Sequence, residues 1–430
     1  MKSTYSKALM ARESSYLLAK ASTELKNRAL NSIAKAIKSN VGQLLAANDL
    51  DCADSKDKIS PSLYKRLQLD RSKIETIVDG VVSVSKLHDP VGATQYALEF
   101  DKGLNLYRIS VPIGVIGVVF ESRPDALVQI STLCLKSGNA VILKGGSEAK
   151  NTNKTLYEII KKASEKTGVP NGWIQLVETR AEINELLKLD EYVDLMIPRG
   201  SNEFVRYIQD NTRIPVLGHS AGVCHVYVDC RADEKKAVDV VFDSKCQYPA
   251  VCNAMETLLI HQGVAKKFLP TIWAKLSGDG VEGKGDKLSR KIISSLKQAK
   301  ESDWKTEYNN LFLNMKVVGS LEDAVDHINK YGSHHTDAIV TEDKKAAKYF
   351  IDSVDSASVM WNASTRFSDG FRYGLGAEVG ISTNKVHARG PVGLEGLTTY
   401  KWILLGSGQK VADYKNKKYL HKKINGKIRI

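Results

Sequence analysis

Apolar positions recur at helical spacing from Leu18 to Ser39 and again from Ser72 to Leu87, with lysines between them. The chain to about Lys86 is therefore predicted as helices. Ser60-Pro61 supplies a cap and a first-turn proline for a short helix between the two. From Leu104 the texture changes. Ile113 to Phe120 is a continuous run rich in β-branched residues, the pattern of a buried parallel strand. A helical segment follows to Lys136, then Gly138-Asn139 turns into a strand over Ala140 to Lys144. A helix from Thr152 to Thr167, a strand at Ile174 to Val177 and a helix from Ala181 to Leu189 come next. Strand Val193 to Ile197, helix Asn202 to Gln209 and strand Val223 to Val228 complete this half. Strands alternating with helices predict a doubly wound parallel sheet, which binds its ligand at the carboxyl ends of the strands.

The second half repeats the texture less regularly. Helices are predicted at Glu234 to Ser244, Ala265 to Ser277, Leu321 to Lys330 and Lys344 to Val354. Strands are predicted at Met315 to Val318, Ala338 to Thr341 and Ala357 to Trp361. The glycine-rich Gly278 to Gly285 follows a helix and lacks the Gly-Lys-Ser/Thr ending of a phosphate loop, so it reads as a solvent loop. Residues 363–396 are rich in glycine and arginine with few periodic apolar positions, the mark of a functional irregular stretch.

Composition narrows the class. The 430 residues are 43% apolar and 26% charged, ordinary for a globular protein, and length alone suggests two to three domains. No apolar run approaches the ~20 residues needed to cross a bilayer. Met1 to Ser6 runs into an amphipathic helical pattern without a signal-peptide core, so a cytoplasmic protein is expected. Its six cysteines form no CxxC pair and no zinc-finger spacing; reduced thiols and no metal are expected. Of the net charge of +13, residues 410–430 carry +7. That tail reads as a solvated extension, with neither nucleic acid nor a membrane expected as partner.

Three places carry candidate chemistry. Cys252, within Gln247-Tyr248-Pro249-Ala250-Val251-Cys252-Asn253-Ala254-Met255-Glu256-Thr257, is expected at a loop-to-helix junction, where the helix N-terminus favours thiolate. The plainer reading is a small buried hydrophobe. Lys144, ending a strand before Gly145-Gly146-Ser147, places an ammonium at the ligand edge of the sheet; the alternative is a solvated strand end. Arg199-Gly200-Ser201 ends another strand and opens a helix, an anion site unless Ser201 is simply its cap. No GxGxxG follows a predicted strand.

Together these residues resemble the aldehyde dehydrogenase superfamily, and within it the γ-glutamyl phosphate reductase (glutamate-5-semialdehyde dehydrogenase) branch. The resemblance runs from the N-terminal helices to about Gln409 through five blocks in family order. They are Val111 to Gly117 continuing to Glu121-Ser122-Arg123-Pro124, Lys136 to Gly146, Tyr248 to Glu256, Gly374 to Thr383 and Ala388 to Leu397. It implies an α/β fold with two doubly wound Rossmann-like domains and a small oligomerisation extension. Residues 1–222 would hold the N-terminal helices and the NADP-binding domain, with a β extension near 96–110. Residues 223–396 would form the catalytic domain and 397–430 the oligomerisation strand and basic tail.

The resemblance makes Cys252 the nucleophile. Lys144 with Gly146 and Ser147 meets the adenosine ribose, Gly200 and Ser201 the pyrophosphate, and Glu307 the nicotinamide ribose. Ser147 stands where NAD-preferring relatives tend to carry a glutamate, so NADPH is expected, although Glu148 is adjacent. Two departures matter. The glutamate that activates water in hydrolytic relatives is missing from Leu217-Gly218-His219-Ser220-Ala221-Gly222, which suits an enzyme that must not lose its thioester to water. His219 is then expected in a structural or substrate-contact role. The superfamily's oxyanion-hole asparagine is also absent, leaving the Cys252 N–H with Arg123 or Asn253 as donors. Arg123, Arg366, Arg372 and Arg389 are candidates to bind a substrate anionic at both ends. The implied reaction is NADPH-dependent reduction of γ-glutamyl phosphate to glutamate 5-semialdehyde and phosphate, the second step of proline biosynthesis. The alternative is a hydrolytic aldehyde dehydrogenase. A homo-oligomer exchanging segments near Tyr96 to Tyr107 and Thr398 to Leu405 is implied, as is a separate glutamate kinase.

Overall fold

The computed structural model describes residues 3–121, 123–200, 202–218, 221–415 and 417–428. Five helices open the chain: α1 (Thr4–Leu18), α2 (Thr23–Ser39), α3 (Val41–Ser55), α4 (Pro61–Leu67) and α5 (Arg71–Lys86). Ser3, Ser22, Ser60 and Asp70 accept backbone N–H bonds at the N-termini of α1, α2, α4 and α5, satisfying donors that a helix start leaves unpaired. Strands β1 (Thr94–Asp101) and β2 (Leu104–Pro112) form an antiparallel hairpin that leads into the first lobe.

That lobe is β3 (Val115–Phe120), α6 (Pro124–Lys136), β4 (Ala140–Lys144), α7 (Lys150–Glu165), β5 (Ile174–Leu176), α8 (Arg180–Leu186), β6 (Leu195–Arg199) and α9 (Asn202–Asp210). Its four strands are parallel, in the order β5-β4-β3-β6. The apolar stripes of α2 and α5 supply Leu30, Ile33, Ile37, Ile74 and Val81, which pack with Val118, Phe120, Leu127 and Leu133 in one core. From β3 the chain steps out to β4 and β5, then returns to the other side of β3 as β6. The switch point thus brings Glu121 and Arg199-Gly200 together at the carboxyl ends of β3 and β6, where doubly wound sheets bind their ligands.

The second lobe runs through β7 (Cys224–Val228), α10 (Glu234–Cys246), β8 (Met255–His261), α11 (Gln262–Gly278), β9 (Glu282–Gly285), α12 (Lys287–Ile292) and β10 (Lys297–Gln298). It continues through β11 (Phe312–Val318), α13 (Leu321–Tyr331), β12 (Thr336–Val340), α14 (Lys344–Ser353) and β13 (Ser358–Trp361). These strands form a seven-stranded parallel sheet in the order β10-β9-β11-β8-β7-β12-β13.

Two expectations are corrected here. No helix opens after Cys252: Met255 to Ile260 is buried on both faces and lies near the middle of the sheet as β8. The polar Glu256 and Thr257 disguised a run that is otherwise Met-Leu-Leu-Ile. The presumed solvent loop 278–285 contains the strand β9, whose Gly283 and Gly285 are buried against Leu296 and Leu313. Glycine here lets two layers approach closely, and a turn-rich composition hid the strand.

A short hairpin, β14 (Ile381–Ser382) with β15 (Gly390–Pro391), lies in the irregular stretch. Then β16 (Thr398–Leu405) pairs antiparallel with β2 along its whole length. The basic tail is also not a free extension. It turns back, and β17 (Lys422–Lys423) pairs with β1, giving the sheet order β16-β2-β1-β17. Lys417 and Tyr414 both bind the Asp101 carboxylate, and Tyr419 stacks on Tyr414 and packs beside Phe100. The aromatics between the lysines are what dock the tail. Among the described residues, no helix is long and apolar enough to cross a membrane.

Candidate active site

Cys252 lies in the turn between α10 and β8, half-buried. The helix-terminus argument for its thiolate therefore falls. Two guanidiniums stand near it: Arg199 and Arg366 both feel the Cys252 sulfur. Arg366 holds the turn from two sides, donating from Nε to Gln247 Oε1 at 3.0 Å and from Nη1 to Asn253 Oδ1. Asn253 in turn donates from Nδ2 to the Ser368 carbonyl at 2.8 Å. Its amide is thus committed to holding the turn against the irregular stretch. Backbone contacts fix the other side. A β-carbon on Gly222 would stand 2.6 Å from the Cys252 Cα and Cβ, and the buried Cys224 thiol donates to the Cys252 carbonyl at 3.1 Å. Burial pushes the Cys224 thiol far up, so it packs and does not attack.

Arg199 ends β6 at the switch point. Its Nη1 is buried without a hydrogen-bond partner among the described residues. Burial and the neighbouring Arg123 guanidinium pull its pKa down to about 10, against Glu378, Asp125 and Cys252. Glu378 accepts from the Gly370 N–H at 2.8 Å, and burial raises its carboxyl while Arg199 opposes the rise. An unsatisfied buried guanidinium N–H is suited to an incoming anion.

The other arginines separate. Arg123 caps α6, exposed, with Nη2 3.1 Å from Asp125 Oδ2, and its charge reaches Arg199. Arg372 pairs with Asp369 at 3.6 Å, and its charge reaches Arg366. Arg389 is committed to Asp355, donating to its carboxylate at 2.9 Å and to its carbonyl at 3.1 Å, with Lys385 on the same carboxylate. Ser201 and His219 lie outside the described residues.

Across the sheet edge, Lys144 is half-buried at the end of β4. Desolvation lowers its pKa, opposed by Glu148 and Glu121. Ser147 is exposed at the start of a short 3-10 turn. A β-carbon on Gly146 would run into the Glu148 carboxylate, and one on Gly200 would stand 2.9–3.1 Å from that of Glu121. Glycines at both strand ends thus make room for these carboxylates, whose charges Lys144 feels. From the second lobe Glu307 reaches the first, accepting from Asn202 Nδ2 at 3.3 Å at the start of α9. A donor ammonium, glycine-floored strand ends and a facing carboxylate fit a dinucleotide with two ribose diols. The sequence did not single out Arg199, Glu121 or Gly222 for these roles; a basic residue at a strand's carboxyl end was the available signal for Arg199.

Among the described residues, no group of three or more His, Cys, Asp or Glu side chains is placed to hold a metal ion. Residues 4–288 match the aldehyde dehydrogenase family model. Gamma-glutamyl phosphate reductase of Acetivibrio thermocellus is 56% identical over 421 residues, covering 97% of each chain. That of Methanococcoides burtonii is 54% identical over 436 residues, covering 98% of this chain and 97% of its own. The crystal structure of gamma-glutamyl phosphate reductase from Thermotoga maritima superposes with a TM-score of 0.93 at 41% identity, covering 95% of this chain and all of that one. A glyceraldehyde-3-phosphate dehydrogenase from Methanocaldococcus jannaschii, solved with NADP, shares the fold at 17% identity and TM-score 0.68. The chain belongs to the aldehyde dehydrogenase family, in its γ-glutamyl phosphate reductase branch.

Proposed function

We infer that this protein reduces γ-glutamyl phosphate to glutamate 5-semialdehyde, the second step of proline biosynthesis. The observation that carries the reading is the contact between Cys252 and Gly222. It lays Gly222 against the nucleophile, and the sequence from Leu217 to Gly222 contains no carboxylate. That stretch therefore supplies no carboxylate to activate water against a thioester on Cys252.

Cys252 thiolate attacks the acyl carbon; the carbon–oxygen bond to phosphate breaks and inorganic phosphate leaves. A bound NAD(P)H supplies the hydride that reduces the thioester. The carbon–sulfur bond then breaks, releasing the aldehyde and restoring the thiolate. The Cys252 N–H, with Arg123, is the proposed donor to the developing oxyanion; Asn253 contributes by fixing the turn. Arg199, Arg366 and Arg372 are proposed for the substrate's anionic ends, with His219 in a supporting contact. Lys144, Gly146, Gly200, Ser201 and Glu307 are proposed to bind the cofactor, with NADPH preferred because Ser147 is neutral. Homo-oligomerisation is proposed through β16, an edge strand whose Tyr400, Trp402 and Leu404 project exposed from one face. A separate glutamate kinase would supply the labile substrate in the cytoplasm.

The test is turnover in reverse with semialdehyde, NADP and phosphate, for wild type and Cys252→Ala. Phosphate-dependent reduction of NADP is expected for wild type and none for the variant, with dinucleotide binding intact in both. Oxidation that needs no phosphate would instead mark a hydrolytic dehydrogenase.

A further inference from the structure

Behind the Cys252 turn lies a charge pair with no solvent exposure on either side: Lys245 Nζ stands 2.8 Å from Glu256 Oε2. Lys245 is the penultimate residue of α10 and Glu256 the second of β8, so the pair spans the turn that carries the nucleophile. Burying two charges is expensive, and an apolar pair of similar size would pack as well or better. The second carboxylate oxygen has another task. Glu256 Oε1 accepts the backbone N–H of Asn309 at 3.2 Å. Asn309 has a left-handed backbone (φ 56°) and lies two residues beyond Glu307. The Glu307 charge reaches Glu256. Elsewhere the same loop is held by Tyr308, whose hydroxyl donates to Asn314 at 3.0 Å.

We propose that Glu256, held in place by Lys245, is a positioning residue for the cofactor. It ties the loop carrying Glu307 to the strand that begins three residues after Cys252, so that the ribose-binding carboxylate and the nucleophile keep one relative geometry. Lys245 fixes the Glu256 carboxylate so that one oxygen always faces Asn309. The proposal rests on the role given above to Glu307 in holding the dinucleotide, and not on the identity of the acyl substrate.

Two variants test it. Lys245→Met/Glu256→Met removes the pair without leaving a lone buried charge. Glu256→Asp keeps the charge but withdraws it by one methylene from Asn309. For each folded variant, NADPH affinity is measured by fluorescence titration, alone and combined with Glu307→Gln, and the rate of Cys252 alkylation is followed. Affinity is expected to fall roughly tenfold, the size of one net hydrogen bond. Glu307→Gln should then weaken binding less than it does in wild type, because both changes remove the same contact. Alkylation should stay within about twofold, since Gly222 and Arg366 hold Cys252 independently. Unchanged affinity, full additivity with Glu307→Gln, or alkylation that shifts in step with affinity would each overturn the proposal. If Glu307→Gln has no effect in wild type, the assigned role of Glu307 is what fails. None of these readouts requires turnover, so an error in the substrate would appear only in the phosphate-dependence assay.

Discussion

The backbone of Gly222 lies against that of Cys252 with no room for a methyl group: an added β-carbon would stand 2.6 Å from the cysteine's Cα and Cβ. Backbone cannot rotate away as a side chain can. Gly222→Ala is therefore expected to push the Cys252 turn outward. Overpacking of this kind costs about 1–3 kcal/mol of stability. A 1 Å displacement of the nucleophile lowers turnover roughly 100-fold. The check is kcat in the folded variant beside its NADPH affinity, which should change little. Normal turnover would mean that the close approach does not set the sulfur's position.

Arg199 and Arg389 make opposite predictions from the same residue type. Each keeps one buried N–H without a partner among the described residues, Nη1 of Arg199 and Nε of Arg389, but Arg389 alone has its Nη2 bound to the Asp355 carboxylate and carbonyl. In the reverse assay Arg199→Gln should raise the KM for phosphate by roughly 10- to 100-fold, the range of a lost charge-assisted hydrogen bond. Arg389→Gln should leave that KM nearly unchanged and show its effect in thermal stability. Equal effects on phosphate KM would refute the distinction.

How far the sequence revealed this site depends on what each residue's neighbours advertise. The parallel strands of the first lobe were legible because β3 is apolar at nearly every position, and that follows from burial on both faces. Cys252 was expected where a helix begins, and the segment after it is the strand β8. Glu256 interrupts an apolar strand, and its partner Lys245 lies eleven residues earlier on a helix, so no local pattern shows that the charge is neutralised. The arginines were legible only as a set. Which of them is already paired depends on Asp355, Asp369 and Gln247, all brought close by the fold. The docked tail was hidden because pairing with β1 joins segments more than 300 residues apart.

On the proposed cofactor placement, coenzyme preference would turn on residues 147 and 148. Ser147 is exposed, while the Glu148 carboxylate lies against Gly146 with its charge felt by Lys144. A carboxylate at 147 would add a second negative charge at the ribose edge and repel a 2′-phosphate. Ser147→Glu is expected to lower kcat/KM for NADPH at least tenfold and to leave that for NADH within about threefold, as one unscreened charge contact allows. Parallel losses for the two coenzymes would place the ribose elsewhere.

The Lys245–Glu256 pair should also leave a signature in stability against pH. Burial raises the Glu256 carboxyl from 4.5 to about 7, even with Lys245 beside it, and lowers the Lys245 ammonium. Below about pH 4.5 the folded and unfolded chains both hold the glutamate proton. Between 4.5 and 7 only the folded chain keeps it, so the folded state binds more protons and stability falls as pH rises through that window. On the alkaline side the lowered lysine has the opposite sign: the folded chain releases that proton first, and stability recovers as pH rises. Lys245→Met/Glu256→Met removes both slopes. Relative to wild type it should gain stability between pH 5 and pH 8 in denaturant titrations, with other groups cancelling in the difference. Curves that run parallel across that range would mean the glutamate titrates alike in the folded and unfolded chain.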